Sequence, residues 1–182
     1  RITNKTKAVI VVHLYGVCAN MKRLKAICKR AKVLLIEDAS HAHGSEYNMQ
    51  RVGSLADVGC FSLYPAKIIG ALGNAGVITT SNSDLAAQMR SFCHHGLAAS
   101  ADAIIGEKYH HELIGINGGM DAIQASVLRI KLPLLPSWIE SRRRLADRYS
   151  ECLIKHNQKP MQLSAKSVTS LYTYAFHTVQ RE

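Results

Sequence analysis

Lys67 is the residue whose setting first asks for a chemical reason. The stretch FSLYPAK carries a strand-like segment through Pro65 to a single amine, and apolar and small residues follow in AKIIGALGNAG. Upstream, the run VLLIE leads straight into Asp38, Ala39, Ser40 and His41, and VGCFS ends on Ser62. In an open parallel sheet, ligands bind beyond the carboxyl ends of the strands. A carboxylate, an imidazole, a hydroxyl and an amine are therefore expected along one edge. One chemistry uses that set. The amine forms a Schiff base with an aldehyde cofactor, the carboxylate keeps the cofactor's pyridine nitrogen protonated, and the hydroxyl binds a phosphate. This is pyridoxal phosphate chemistry, in which the ring stabilises a carbanion and the protein orients it.

Each residue also has a plainer reading. Lys67 alone is a surface lysine after a strand, Asp38 a cap or turn residue, Ser62 a strand-end hydroxyl, and His41 and His43 loop residues. An amine that attacks a carbonyl must be partly neutral, and apolar neighbours like those in AKIIGAL favour the neutral form. Gly70, Gly73 and Gly76 would let backbone approach a cofactor closely. Other constellations are weaker. Cys93, His94, His95, His110 and His111 carry metal-binding groups, but adjacent histidines point apart on a strand or helix, so no metal site is expected. GALGNAG lacks the GxGxxG spacing of a dinucleotide loop.

The elements that must position these groups read clearly. AVIVVHLY, residues 8–15, is continuous and β-branched, as a strand covered on both faces would be. Gly16 ends it. Asn20 is a candidate N-cap for a basic helix, with Met21, Leu24, Ile27 and Cys28 on one stripe. VLLIE, residues 33–37, is a second buried strand, so the first three elements form a βαβ unit with a right-handed crossover. A loop or short hairpin is expected over 43–56, strands over 58–63 and 76–80, and a helix over 84–94 capped by Ser83 or Asp84. A further helix spans roughly 120–131, with Asp121 near its start. Pro133 and Pro136 punctuate. The segment SWIESRRRLADRYSECLIKH then sets Trp138, Leu145, Tyr149 and Leu153 at helical spacing, and LYTYAFHTVQ alternates like a half-buried strand. The fold class is α/β. Residues 1–131 are expected to form part of a three-layer large domain with a mostly parallel sheet, and 132–182 a linking helix and the start of a smaller domain.

Composition sets the bounds. The 182 residues have a globular apolar content, and no apolar run has membrane-spanning length. Five scattered cysteines without CxxC spacing suggest reduced thiols and a cytoplasmic protein. The net charge of +10 is uneven: residues 1–32 hold nine Lys and Arg and no acid. The amphipathic basic helix accounts for most of it as a solvated face, and no aromatic platform accompanies it, so no nucleic-acid partner is expected.

The segments VVHLYG, IEDASHAHGSEY, VGSLADVGCFSLYPAK, GVITT, KYHHELIGIN and MDAIQASVLRIKL, in this order and spacing, resemble the DegT/DnrJ/EryC1/StrS family of pyridoxal-phosphate-dependent nucleotide-sugar aminotransferases. The resemblance covers the chain to about residue 155 and weakens beyond. It implies the fold type I transferase architecture and a role for each matching residue. Lys67 matches the Schiff-base lysine, which also shuttles the proton. Asp38 matches the partner of the pyridine nitrogen, His41 stands beside the cofactor ring, and Ser62 matches a phosphate ligand. Asn117 matches an asparagine that reaches the phosphate in the neighbouring subunit's site, which implies a homodimer with shared active sites; read alone, it is a turn residue before two glycines. Lys67 argues against the family's dehydratase branch, in which histidine replaces the lysine. The implied activity is amino transfer, with glutamate as donor, to a nucleotide-linked keto sugar. The family's usual Gly-Tyr-Asn-x-Arg pattern is Gly115, Ile116, Asn117, Gly118, Gly119 here, so its arginine is absent. Family members also carry a substantial segment ahead of this stretch and more of the small domain after it. The chain therefore reads as a piece of something longer, expected to be poorly stable alone. A catalytically incomplete remnant or regulatory binding homologue is the alternative function.

Overall fold

The computed structural model describes residues 1–97, 110–163 and 167–178. Its centre is a four-stranded sheet in the order β1 (Ala8–Val12), β2 (Leu34–Asp38), β5 (Val58–Ser62), β6 (Gly76–Thr79). β1 and β2 run parallel from Ala8 opposite Leu34 to Val12 opposite Asp38, and β2 and β5 are also parallel. β6 closes the edge antiparallel to β5. Helix α1 (Met21–Ala31) makes the crossover, capped by the Asn20 side chain, which accepts from the Arg23 N–H. Met21 and Cys28 bury against Val11, Leu35, Ala39 and Leu55, as the stripe of apolar residues required.

β1 differs from its sequence reading in two ways. It stops at Val12, because His13 turns inward and its N–H donates to the Asp38 carbonyl; Tyr15 (φ 60°) and Gly16 (φ 88°) then leave the extended region. It is also covered on one face only: Val11 points into the core, while Ile10 and Val12 are 66% and 49% exposed. The hairpin expected over 43–56 is present as β3 (Glu46–Tyr47) and β4 (Gln50–Arg51). Asn48 and Met49 both have positive φ, which gives a two-residue turn of the type that matches strand twist.

Glu37 fastens these loops together. Its carboxylate, wholly buried, accepts from the His13 ring (2.9 Å) and the Gly53 N–H (3.0 Å) on Oε2. On Oε1 it accepts from the N–H groups of Leu55 (2.7 Å) and Ala56 (3.0 Å). His13 Nδ1 accepts from the Ala19 N–H, so the ring proton lies on Nε2, facing the carboxylate. Burial pushes the Glu37 carboxyl up, but these donors outweigh it and hold it below its ordinary value.

Helix α2 (Ser83–Cys93) is capped one residue earlier than expected, by Asn82, whose side-chain Oδ1 accepts from the N–H groups of both Asp84 and Leu85. Helix α3 (Ala122–Lys131) passes through a single 3₁₀ turn, Leu132–Leu134, into α4 (Leu135–Lys155). Pro133 and Pro136 do not break this path, because each falls in a first turn, where a missing N–H is tolerated. On α4 the buried residues are Ile139 and Ala146 rather than Leu145 and Tyr149, which are 53% and 59% exposed. The helix is rotated so that Ile139 lies against Gly44 and Arg142 reaches the carbonyls of Leu171 and Tyr172. Leu145, Tyr149 and Leu153 instead line an open cleft of about 440 Å³ with Tyr174 and Phe176.

Over the described residues 171–178, the strand expected in LYTYAFHTVQ does not form. The extended segment is β7 (Ser167–Val168), upstream, which pairs antiparallel with β3. Leu171 (φ 51°) turns the chain, and His177 makes one isolated bridge to Lys159. Val179 and Gln180 of that segment lie outside the described residues, as do Lys108 and Tyr109 of KYHHELIGIN.

Candidate active site

The parallel strands β1, β2 and β5 end on the same edge, and their loops bring the candidate groups together. Asp38 is the last residue of β2, paired with Cys60 of β5. A tight turn follows in which the Ser40 N–H donates to Asp38 Oδ1 at 3.0 Å. Burial pushes the Asp38 carboxyl up, but the Ser40 hydrogen bonds and the nearby His41 and Lys67 outweigh it, so the group lies below its ordinary value. The same neighbours act on His41: burial first, then the Lys67 charge, push the ring down, against the pull of Asp38. Asp38, His41 and Lys67 thus form one electrostatic cluster.

Ser62 ends β5, and Lys67 follows in a turn where its own N–H donates to the Tyr64 carbonyl at 2.9 Å. Ile68, Ile69 and Ala71 bury beyond it, and Lys131 Nζ donates to the Gly70 carbonyl at 2.6 Å. The glycines have reasons of their own here. A Cβ on Gly70 would lie 2.5 Å from the Pro65 carbonyl oxygen, so this glycine permits the turn that presents Lys67. Gly70→Ala is expected to cost about 1–3 kcal/mol in a urea melt. Gly119→Ala, where a Cβ meets nothing within 4 Å, should stay within about 0.5 kcal/mol of the unmodified chain. Equal losses in both variants would contradict this account of Gly70.

His43 is buried behind the cluster, and its Nε2–H donates to the Ser62 carbonyl at 2.9 Å. Burial pushes it down to about 4. The folded protein keeps this ring neutral while the unfolded chain protonates it near 6.5, so stability falls as the pH drops from 6.5 to about 4. The loss should approach about 3 kcal/mol at the acid end. Melts recorded across that range should show the decline, and His43→Leu should flatten it.

Asn117 pairs with His94, just beyond α2, in an isolated bridge. The residue that sequence reading missed is Tyr172. Its ring stacks on His41, with centroids 4.2 Å apart, and Lys67 Nζ lies 5.0 Å from its centre. No local signal marks it, because it reaches the cluster from the far end of the chain. Among the described residues, no group of three or more His, Cys, Asp or Glu could hold a metal ion, and no helix is long and apolar enough to cross a membrane.

The model of the DegT/DnrJ/EryC1/StrS aminotransferase family matches residues 1–182. The chain belongs to that family. A UDP-N-acetyl-3-dehydro-α-D-glucosamine 3-aminotransferase from Acidithiobacillus ferrooxidans is 36% identical over 97% of the chain and 44% of its own length. A pleiotropic regulatory protein from Geobacillus stearothermophilus is 38% identical over 97% of the chain and 45% of its own length. The crystal structure of S. venezuelae DesV in complex with a ketimine intermediate superposes with a TM-score of 0.86 at 33% identity, covering 95% of the chain and 45% of DesV. The mostly parallel α/β sheet is therefore that of DegT/DnrJ/EryC1/StrS aminotransferases, and the chain spans about half the length of the curated relatives it matches.

The cluster fits the cofactor of such enzymes on its own chemistry. It offers an amine, an ionised carboxylate and a buried His41 Nδ1 with no hydrogen-bond partner.

Proposed function

We propose that this chain carries the lysine-bearing part of a pyridoxal-phosphate-dependent aminotransferase acting on a nucleotide-linked keto sugar, with glutamate as amino donor. The observation that carries the reading is the meeting of the Lys67 amine and the His41 ring at one tyrosine ring, beside the end of β2 that carries Asp38. Bound pyridoxal phosphate supplies a ring that accepts the electrons of a carbanion. The chain does the rest. Lys67 Nζ would hold the cofactor at its aldehyde carbon and, when free, would move the proton. Asp38 stays ionised at neutral pH and would keep the ring nitrogen protonated. His41, neutral, would lie beside the ring, and Ser62 would offer its hydroxyl to the phosphate.

Asn117, which matches the family asparagine that reaches a neighbouring subunit's phosphate, would take that role in a homodimer. The division at residue 131/132 into a large domain and the start of a small one, and a cytoplasmic location, belong to the same reading. The experiment is to add pyridoxal phosphate and look for an absorbance band near the visible edge, then to supply glutamate and a panel of nucleotide-linked keto sugars and detect amino sugar. A second reading, a regulatory homologue, is favoured by the Geobacillus relative's name. A band without amino transfer to any member of the panel would support it over the enzyme.

A further inference from the structure

We propose that Tyr172 is a positioning residue of this site, delivered from the C-terminal segment to orient His41 and hold the free Lys67 amine. The consequence for cofactor binding rests on the pyridoxal phosphate reading; the placement of the ring does not. The ring lies nearly parallel to His41, at 20° and 4.2 Å, with Lys67 Nζ over its face at 5.0 Å. Such a face attracts a cation. The lysine must leave the cofactor whenever a substrate amine takes its place, and the tyrosine face would give the released amine, once it has taken up a proton, a fixed station beside the reacting atoms.

The backbone around Tyr172 is built to keep it there. The Ser45 and Thr169 hydroxyls both donate to the Gly16 carbonyl, at 2.8 and 2.9 Å. The Ser170 N–H donates to Ser45 Oγ at 2.9 Å, and Ser170 Oγ donates to the His41 carbonyl at 3.2 Å. Ser45, Thr169 and Ser170 are buried. Tyr172 itself donates its N–H to the Tyr15 carbonyl at 3.0 Å. Gly16 sits at φ 88°, where a Cβ would lie 2.7 Å from Ser170 Oγ. This buried clasp binds the segment 169–172 to the very loop that carries His41, so the two rings are positioned by one hydrogen-bonded unit.

The test uses the full chain with ¹³C-methylated lysines, the Lys67 resonance being assigned from Lys67→Arg. In the cofactor-free protein the Lys67 methyls should be shifted upfield by the tyrosine ring current. Tyr172→Phe should keep the shift and Tyr172→Leu should lose it, with unchanged circular dichroism. Ser170→Ala, which loosens the clasp without touching either ring, should reduce it. In titrations of the unmethylated chain with pyridoxal phosphate, Tyr172→Leu should bind about tenfold more weakly, through loss of the ring that orients His41, and Tyr172→Phe like the unmodified chain. An unshifted Lys67 resonance in the unmodified chain, or equal cofactor affinity in Tyr172→Leu, would overturn the inference. A cofactor band that persists in Lys67→Ala would instead overturn the reading of the site, while the ring-current result would still decide where Tyr172 stands.

Discussion

Lys67→Ala is expected to abolish the pyridoxal phosphate absorbance band and with it all measurable amino transfer. Lys67 is the amine of the cluster, and the turn set by Gly70 and Pro65 gives it a fixed place beside Asp38 and His41. On the proposed reading, loss of its proton transfer alone should cost about 10²–10⁴-fold, and loss of the covalent attachment would add to that. Lys67→Arg should fail as completely, because a guanidinium keeps the charge but has no neutral form with which to attack a carbonyl. The pair of variants separates charge from nucleophilicity. Borohydride treatment followed by peptide mapping gives a second readout, in which the unmodified chain should carry the reduced cofactor on the peptide containing residue 67. A band of full strength in Lys67→Ala would sink the assignment.

Glu37→Ala should leave little folded protein. The substitution strips three buried donors, the His13 ring and the N–H groups of Gly53 and Leu55, and the half-buried Ala56 N–H of their acceptor. Each unpaired buried donor costs roughly 1–3 kcal/mol, so a loss of at least about 3 kcal/mol is expected against a typical total of about 5–15. Glu37→Gln should be milder, at about 2–4 kcal/mol, because the amide oxygen still satisfies one pair while its NH₂ faces the other. The carboxyl lies below its ordinary value of 4.5 in the fold. Its contribution is therefore complete above that pH and disappears as the pH falls through the lower folded value. Denaturant melts at neutral pH and again in acid measure both effects. A Glu37→Gln variant as stable as the unmodified chain at neutral pH would refute this account.

Much of the architecture was legible because it is locally encoded. The β-branched run at residues 8–12, the Asn20 cap and the Met21–Cys28 stripe each imply their element and its orientation, and together they imply the crossover. Lys67, Asp38 and His41 could be brought together on paper because parallel strands deliver their ends to one edge. The errors have a different origin. The exposed face of β1 and the rotation of α4 depend on what packs against them, which periodicity alone does not state. Leu145 and Tyr149 share helical spacing with Trp138, yet Gly44 makes room for Ile139 and so selects the neighbouring stripe. The alternation in LYTYAFHTVQ was overridden by tertiary hydrogen bonds. The inward Arg142 ties down the Leu171 and Tyr172 carbonyls, and a strand there would need them for a ladder. Tyr172 was invisible for the same reason, since its partners are fixed by long-range contacts.

The Ser45–Ser170 clasp has a consequence for biosynthesis. Thr169 and Ser170 leave the ribosome 125 to 153 residues after the groups they bond. The loop bearing His41 must wait, its Gly16 carbonyl and Ser45 hydroxyl solvated, through the synthesis of every helix from α2 to α4. Assembly of the pocket is thus a late, vectorial event, and a nascent chain halted before Ser167 would already own its lysine while still lacking the wall that steadies it.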